Sequence, residues 1–272
     1  MRSIVALVIG LLLLSFMAWE GKEGFLSAKK YEASMQSISE VMTPSNLAKL
    51  QINDIASKLT FGFIKNELQE KIKRIQKESK ELKAKSILIA KKYALLATIL
   101  LIVSLFGYFQ VTTILLSIGA LISLINGLIT PILMITVHKN IEYLGDVVLS
   151  FESKGIIGSI EKLYSTGNYP VAIVIALFSV LIPAIKTLSL LILSIFEKQK
   201  FAKKMVLFFK HLGKWSMADV FVVSLLLVFL SSSSTDVSKA EIEIGLYFFL
   251  TYVIFSILAS ITAEKMLKQG SS

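Results

Sequence analysis

Two charged side chains sit where charge is expensive. Lys186 lies in the apolar run Leu181-Ile-Pro-Ala-Ile-Lys-Thr-Leu188, and Asp219 lies in Trp215-Ser-Met-Ala-Asp-Val-Phe221. A charge at the centre of a bilayer costs roughly 2.5–3.5 kcal/mol on insertion scales. Two such costs imply compensation, and a facing Lys186–Asp219 ion pair supplies it. Ser179 is seven residues before Lys186 and Ser216 three before Asp219, so each hydroxyl is expected on the same helix face as its charge. Pro183 lacks an N–H and frees a carbonyl near residue 179, which opens the helix there. Such a polar patch would hold a lipid headgroup, an ion or a proton. The alternative is a purely structural interhelical pair. A third polar group, Asn126, needs a partner in its own apolar run, and Pro131 is expected to kink that run.

The elements that carry these residues are membrane spans. The 272-residue chain is 54% hydrophobic and 18% charged, with a mean hydropathy of +0.72; a soluble domain carries about 25% charged residues. Apolar runs at Ile4–Trp19, Tyr93–Tyr108, Val111–Val137, Val171–Phe196, Trp215–Leu230 and Ile244–Ala263 give six expected crossings. The first resembles a signal peptide in having Arg2 before an apolar stretch. Its length, and the lack of a small-residue cleavage site at Ala18-Trp19-Glu20, favour an uncleaved anchor. The fold class is therefore all-α: a polytopic helical membrane protein with a helical extramembrane segment. Four parts are expected: an anchor at 1–19, an extramembrane segment at 20–91, an additional span and hairpin at 92–110, and a four-span unit at 111–268. Gly107, Tyr108 and Gln110 mark the hairpin.

Loop charge sets the orientation. The segment Glu197–Lys214 holds six Lys against one Glu, so it and the C-terminus are expected inside the cell. The loops 138–168 and 231–241, where acids outnumber Lys, are then outside. Parity places residues 20–91 outside as well. Lys80, Lys83, Lys85, Lys91 and Lys92 argue against this, because they crowd the start of the second span; the rival arrangement keeps 20–91 cytoplasmic. Within that segment Leu68, Ile72, Ile75, Ser79, Leu82, Ser86 and Ile89 alternate by four and three residues, a heptad seam. The seam fits either an arm that meets a partner or, better given its short length, a helix folded back on residues 24–59. In Glu197–Lys214 the stripe Phe201, Met205, Phe208 and Leu212 opposes Lys203, Lys204, Lys210 and Lys214. That pattern suits a helix lying on the membrane surface.

Several function classes are excluded or unsupported. With no Cys and two isolated His residues, no disulfide, iron–sulfur cluster, zinc ribbon or other metal site is expected. No phosphate loop, nucleophile elbow or catalytic His constellation occurs, so neither an enzyme nor a cofactor is expected. The net charge of +10 is read as loop charge of a membrane protein, with no nucleic-acid partner.

The stretch Gly213-Lys-Trp-Ser-Met-Ala-Asp-Val-Phe-Val-Val223 resembles a motif of the paraquat-inducible protein A family, in which Trp215, Met217 and Phe221 are the matching residues. Val180-Leu-Ile-Pro-Ala-Ile-Lys-Thr-Leu188 is similar to the family's Pro-x-x-Lys span. Ser153–Leu163 and Thr130–Met134 resemble its outer loop and the end of its first span. The resemblance covers about residues 111–268. Many members have two such modules and cysteine zinc ribbons; this chain has one module and no Cys, and residues 1–92 have no recognised counterpart. The resemblance implies a bacterial inner-membrane component of an envelope lipid-transport system. Its implied partners are phospholipid and a mammalian-cell-entry (MCE) domain protein that forms a tunnel. It also places Lys186, Asp219, Ser179 and Ser216 in an intramembrane polar network. An ion-coupled transporter of a small solute and a non-transporting scaffold are the alternatives.

Overall fold

The computed structural model describes residues 2–41, 46, 67–141, 145–196 and 238–269. Among the described residues the chain is helical with one small sheet. In order, the elements are α1 (Arg2–Val41), α2 (Glu67–Leu105), α3 (Phe109–Ile129), β1 (Leu133–Ile141), β2 (Gly145–Lys154), α4 (Ile156–Ser165) and α5 (Tyr169–Ala176). A π-helical turn (Leu177–Leu181), α6 (Ile182–Ile195), β3 (Ser238–Ile242) and α7 (Ile244–Gln269) follow. Among the described residues five helical stretches are long and apolar enough to cross a membrane: α1, most of α2, α3, the run Tyr169–Ile195, and α7. The expected sixth span, Trp215–Leu230, and the basic segment Glu197–Lys214 lie outside the described residues.

The first two helices are one antiparallel pair. At 40 residues, α1 is about 60 Å long, twice the thickness of a hydrocarbon core, so about half of it stands clear of the bilayer. Its buried positions include Ala6, Gly10, Leu14, Met17, Gly21, Gly24, Ala28, Tyr31, Met35 and Ile38, a spacing of threes and fours that runs the length of the helix. Along α2 the matching stripe contains Ile72, Ser79, Ser86, Ile89, Tyr93 and Leu100. From Ile72 onward the heptad seam thus packs against α1, and its buried stripe continues through Tyr93 and Leu100. Ser27 and Ser86 share a hydrogen bond at 3.0 Å, and Ser79 donates to the Met35 sulfur at 3.3 Å. Beyond the bilayer, residues 20–41 and 67–92 form a two-helix arm.

The third span ends earlier than expected. It was expected to reach Val137 with a kink at Pro131, but α3 stops at Ile129, and Thr130 is already extended at φ −92°, ψ 143°. A residue before proline is pushed out of the helical region, and the β-branched Ile135, Thr136 and Val137 then favour a strand. Pro131 therefore terminates α3 rather than bending it. β1 is the central strand of an antiparallel sheet ordered β2-β1-β3. It pairs with β2 from Leu133↔Lys154 to Ile141↔Gly145, with an irregularity between Val137 and His138. On its other edge it pairs with β3 from Leu133↔Ile242 to Val137↔Ser238.

The sheet fixes which segments share a side of the membrane. Met134 of β1 is buried with Tyr31, Met35 and Ile38 of α1 and Ile72 of α2, and Phe151 of β2 packs against them. Lys83 of α2 forms an ion pair with Glu241 of β3. The arm, the β1–β2 hairpin and β3 accordingly lie on one side, as loop parity requires. Two of the lysines that argued otherwise face acids of α1: Lys85 lies 3.9 Å from Glu23 and Lys92 lies 3.8 Å from Glu20.

The core of the bundle centres on α3 and α7, with α1, α2 and α6 around them. Leu115, Leu116, Ala120, Tyr93, Leu193, Phe248, Tyr252 and Phe255 are among its buried residues. Two glycines permit the closest approach. A Cβ on Gly127 would lie 2.9 Å from the Phe249 backbone nitrogen. One on Gly245 would collide with the carbonyl of Pro131, which accepts the Gly245 N–H at 2.9 Å.

Candidate functional site

The span carrying Lys186 is not a uniform helix. Pro183 sits in the first turn of α6, and the turn before it is π-helical. There the Ile182 N–H reaches back five residues to the Leu177 carbonyl. A proline removes one donor and its ring crowds the carbonyl four residues back, so the preceding turn widens. Ser179 lies inside this widened turn and is buried. Lys186 follows Pro183 by three residues and is half-buried within an otherwise apolar span. Thr187 donates to the Pro183 carbonyl at 2.8 Å, and Ser189 to the Ile185 carbonyl at 2.7 Å. These bonds return polar partners to a backbone that the proline has disturbed.

The opposite wall of the expected pair falls on residues the structure does not describe. Asp219, Ser216, Trp215, Met217 and Phe221 all lie there. What is described is a buried serine within the π turn and a half-buried lysine that follows Pro183 by three residues.

A second polar group is fully assembled in the bundle core. The Tyr93 hydroxyl shares a hydrogen bond with Ser123 at 2.8 Å, and both residues are buried. It also meets Asn126, whose Nδ2 donates to the Ile122 carbonyl at 2.8 Å. Gly21 of α1 faces this amide and leaves it room, since a Cβ there would overlap the Asn126 side chain. Near the other end of α3, Thr113 donates to Thr262 of α7 at 2.8 Å, and Gln110 donates to the Ser194 carbonyl of α6 at 2.9 Å. In a membrane these bonds join helices that gain little from hydrophobicity alone.

Sequence reasoning identified Asn126 but not its neighbours. In the sequence Tyr93 merely begins one apolar run, and Ser123 lies within another. The seam spacing that puts Tyr93 four residues after Ile89 was the available signal. Glu243 was also missed. It lies one residue before the last span, and its place in Glu241-Ile-Glu-Ile244 is a period-two pattern that marks a strand end.

The signature of a known family covers most of this architecture. It matches residues 110–267, from the first turn of α3 to the last turns of α7. The chain belongs to the paraquat-inducible protein A family. No curated protein and no solved structure matches it. The matched region contains α3, the sheet, the π-turn span with Lys186, and α7. The α1–α2 pair lies outside the region shared with the paraquat-inducible protein A family.

Proposed function

We propose that this protein passes phospholipid between the bacterial inner membrane and an MCE-domain partner, and that it acts as a transporter rather than as an enzyme. The observation that carries this reading is the family match across α3 to α7, which includes the span that holds a lysine within hydrocarbon. The geometry adds two supports. The π turn at Ser179 and Pro183 opens a helix beside Lys186, and an ammonium there suits the phosphate of a lipid headgroup. The same span leaves Ile173, Leu177, Leu181, Ile185, Leu188 and Ile192 exposed, an apolar stripe that suits acyl chains. On this reading Lys186, with Asp219 from the following span, forms the polar station past which a headgroup moves. Phospholipid and a tunnel-forming MCE-domain protein on the sheet side of the membrane are its partners.

The test is a double substitution at matched protein levels. Lys186→Met alone leaves any buried carboxylate partner uncompensated and is expected to cost about 3–5 kcal/mol. Combining it with Asp219→Leu should restore membrane levels. Lipid transfer to the partner, read by labelled phospholipid in paired vesicles, should stay lost in the restored double variant. Full transfer activity there would reduce the pair to architecture and remove the residue-level support for the mechanism.

A further inference from the structure

The joint between the arm, the sheet and the bundle holds an ionisable group that lipid transport does not use. Glu243 is the single residue between β3 and α7. Its backbone N–H donates to the Ile132 carbonyl at 2.9 Å, which anchors it beside the chain that enters β1. Its side chain is 4% exposed, and Oε1 has no hydrogen-bond partner among the described residues. Thr130 Oγ1, just ahead of the Pro131 carbonyl that receives the Gly245 N–H, is likewise buried and unpartnered among them.

The charged and titratable neighbours come from three elements. Lys83 of α2 stands closest in effect and is already paired with Glu241 of β3. Glu32 and Tyr31 lie on α1. Two further carboxylates therefore act on a buried third, and among the described residues Lys83 is the ammonium that opposes them. A buried carboxylate with an oxygen that no donor reaches is costly as an anion, and a proton lowers that cost.

We propose that Glu243 is a proton-binding site that ties the docking of the α1–α2 arm to the pH on the sheet side of the membrane. Neutral Glu243 lets Tyr31, Met134 and the Lys83–Glu241 pair close over it. Ionised Glu243 adds a third negative charge to the joint, competes with Glu241 for Lys83 and repels Glu32. The step is simple proton exchange with the aqueous phase: the carboxyl O–H breaks, water takes the proton, and the electron pair stays on the carboxylate.

The direction follows from the surroundings. Burial pushes the Glu243 carboxyl up to about 7 from an ordinary 4.5; Lys83 works against this, and Glu241 and Glu32 add to it. A carboxyl whose value is raised in the docked form favours docking most when both forms are protonated. As pH rises from about 4.5 the undocked form loses its proton first, and docking weakens until Glu243 itself ionises near pH 7. Above that the loss is complete.

The experiment uses the full chain in lipid nanodiscs. Amide hydrogen exchange over residues 27–38, corrected for the intrinsic effect of pH, reads arm docking. Infrared difference spectra read the protonated carboxyl band. Protection should fall at least about tenfold between pH 5 and pH 8, together with loss of the band. In Glu243→Gln, a neutral near-isostere, protection should stay high and lose this dependence. Lys83→Met should move the wild-type midpoint upward, because Lys83 favours the anion; this arm of the experiment stands even if Glu243→Gln does not fold. An unchanged pH profile in Glu243→Gln, or a midpoint that stays put or falls in Lys83→Met, would overturn the proposal. Lipid transfer does not enter the readout, so the two proposals fail separately.

Discussion

Two helix pairs in this molecule are held together in different ways. The α1–α2 pair meets along a seam with heptad spacing, and three of its seam positions outside the bilayer are serines: Ser27, Ser79 and Ser86. The α3–α7 pair meets at near-backbone contact, with Gly127 against Phe249 and Gly245 against Pro131. In water a seam of alternating residues is driven by the hydrophobic effect and tolerates small polar members. Within lipid that driving force is absent, so close packing of small residues and interhelical hydrogen bonds take over. Helix α1 shows both regimes along its buried stripe. Its outer half buries Tyr31, Met35 and Ile38, whereas its inner half relies on Gly10, Gly21 and Gly24 where α1 approaches α3 and α7.

The largest expected effect breaks the tighter pair. Gly127→Val places a branched side chain against the Phe249 backbone, which cannot move aside as a flexible side chain would. Overpacking of this kind costs about 1–3 kcal/mol or more. The thermal midpoint of the purified protein should fall, or membrane levels should collapse; an unchanged midpoint would show that the α3–α7 contact is looser than described. Next in size is Tyr93→Phe, which removes the hydroxyl shared with Ser123. Interhelical hydrogen bonds in membranes average about 0.6 kcal/mol and reach about 1.7, and this one is buried on both sides, so a loss near 1 kcal/mol is expected by the same measurement.

The arm offers the matched deletion. Ser86→Ala strands the Ser27 hydroxyl in the seam, and the cost should be about 0.5–1 kcal/mol. Ser27→Ala with Ser86→Ala should recover most of it, since two apolar groups of the same shape replace a satisfied pair. If the double variant is worse than either single one, the bond rather than the packing holds the arm. The smallest effect belongs to the rim. Lys85→Met removes an exposed pair with Glu23, for which ion pairs typically give about 0–1 kcal/mol. The change should shrink further in high salt, where such charges are screened. Topology adds a qualitative check: cysteines introduced at Gln36 and Ser159 should label from the same side, and one at Lys268 from the other. Labelling of Gln36 from the Lys268 side would separate the arm from the sheet.

Much of this was legible in the residues. Apolar runs of about 20 residues announce spans because hydrocarbon tolerates little else, and the described helices fall on them. The fours and threes from Leu68 to Ile89 pointed to a buried seam, and the structure supplied the partner, α1. The paraquat-inducible protein A motifs were readable because they combine rare features, a proline and charges inside apolar spans. Lys186, Ser179 and Pro183 stood out for that reason. The π turn they produce was foreseen as a freed carbonyl.

Local pattern determined the helical type of the apolar runs, the identity of the family and the unusual charges, because hydropathy and period are properties of neighbouring residues. Tertiary structure decided the rest. Pro131 ends the helix locally, but that Leu133–Val137 became a central strand depended on β3, about a hundred residues away in the chain, which pairs with its second edge. That the lysine-rich start of α2 shares a side with the sheet depended on Glu241 of β3 reaching Lys83. Glu243 looked like one more acid at the end of a loop until three elements closed around it. Burial is a sum over distant parts of the chain, and no window of sequence contains it.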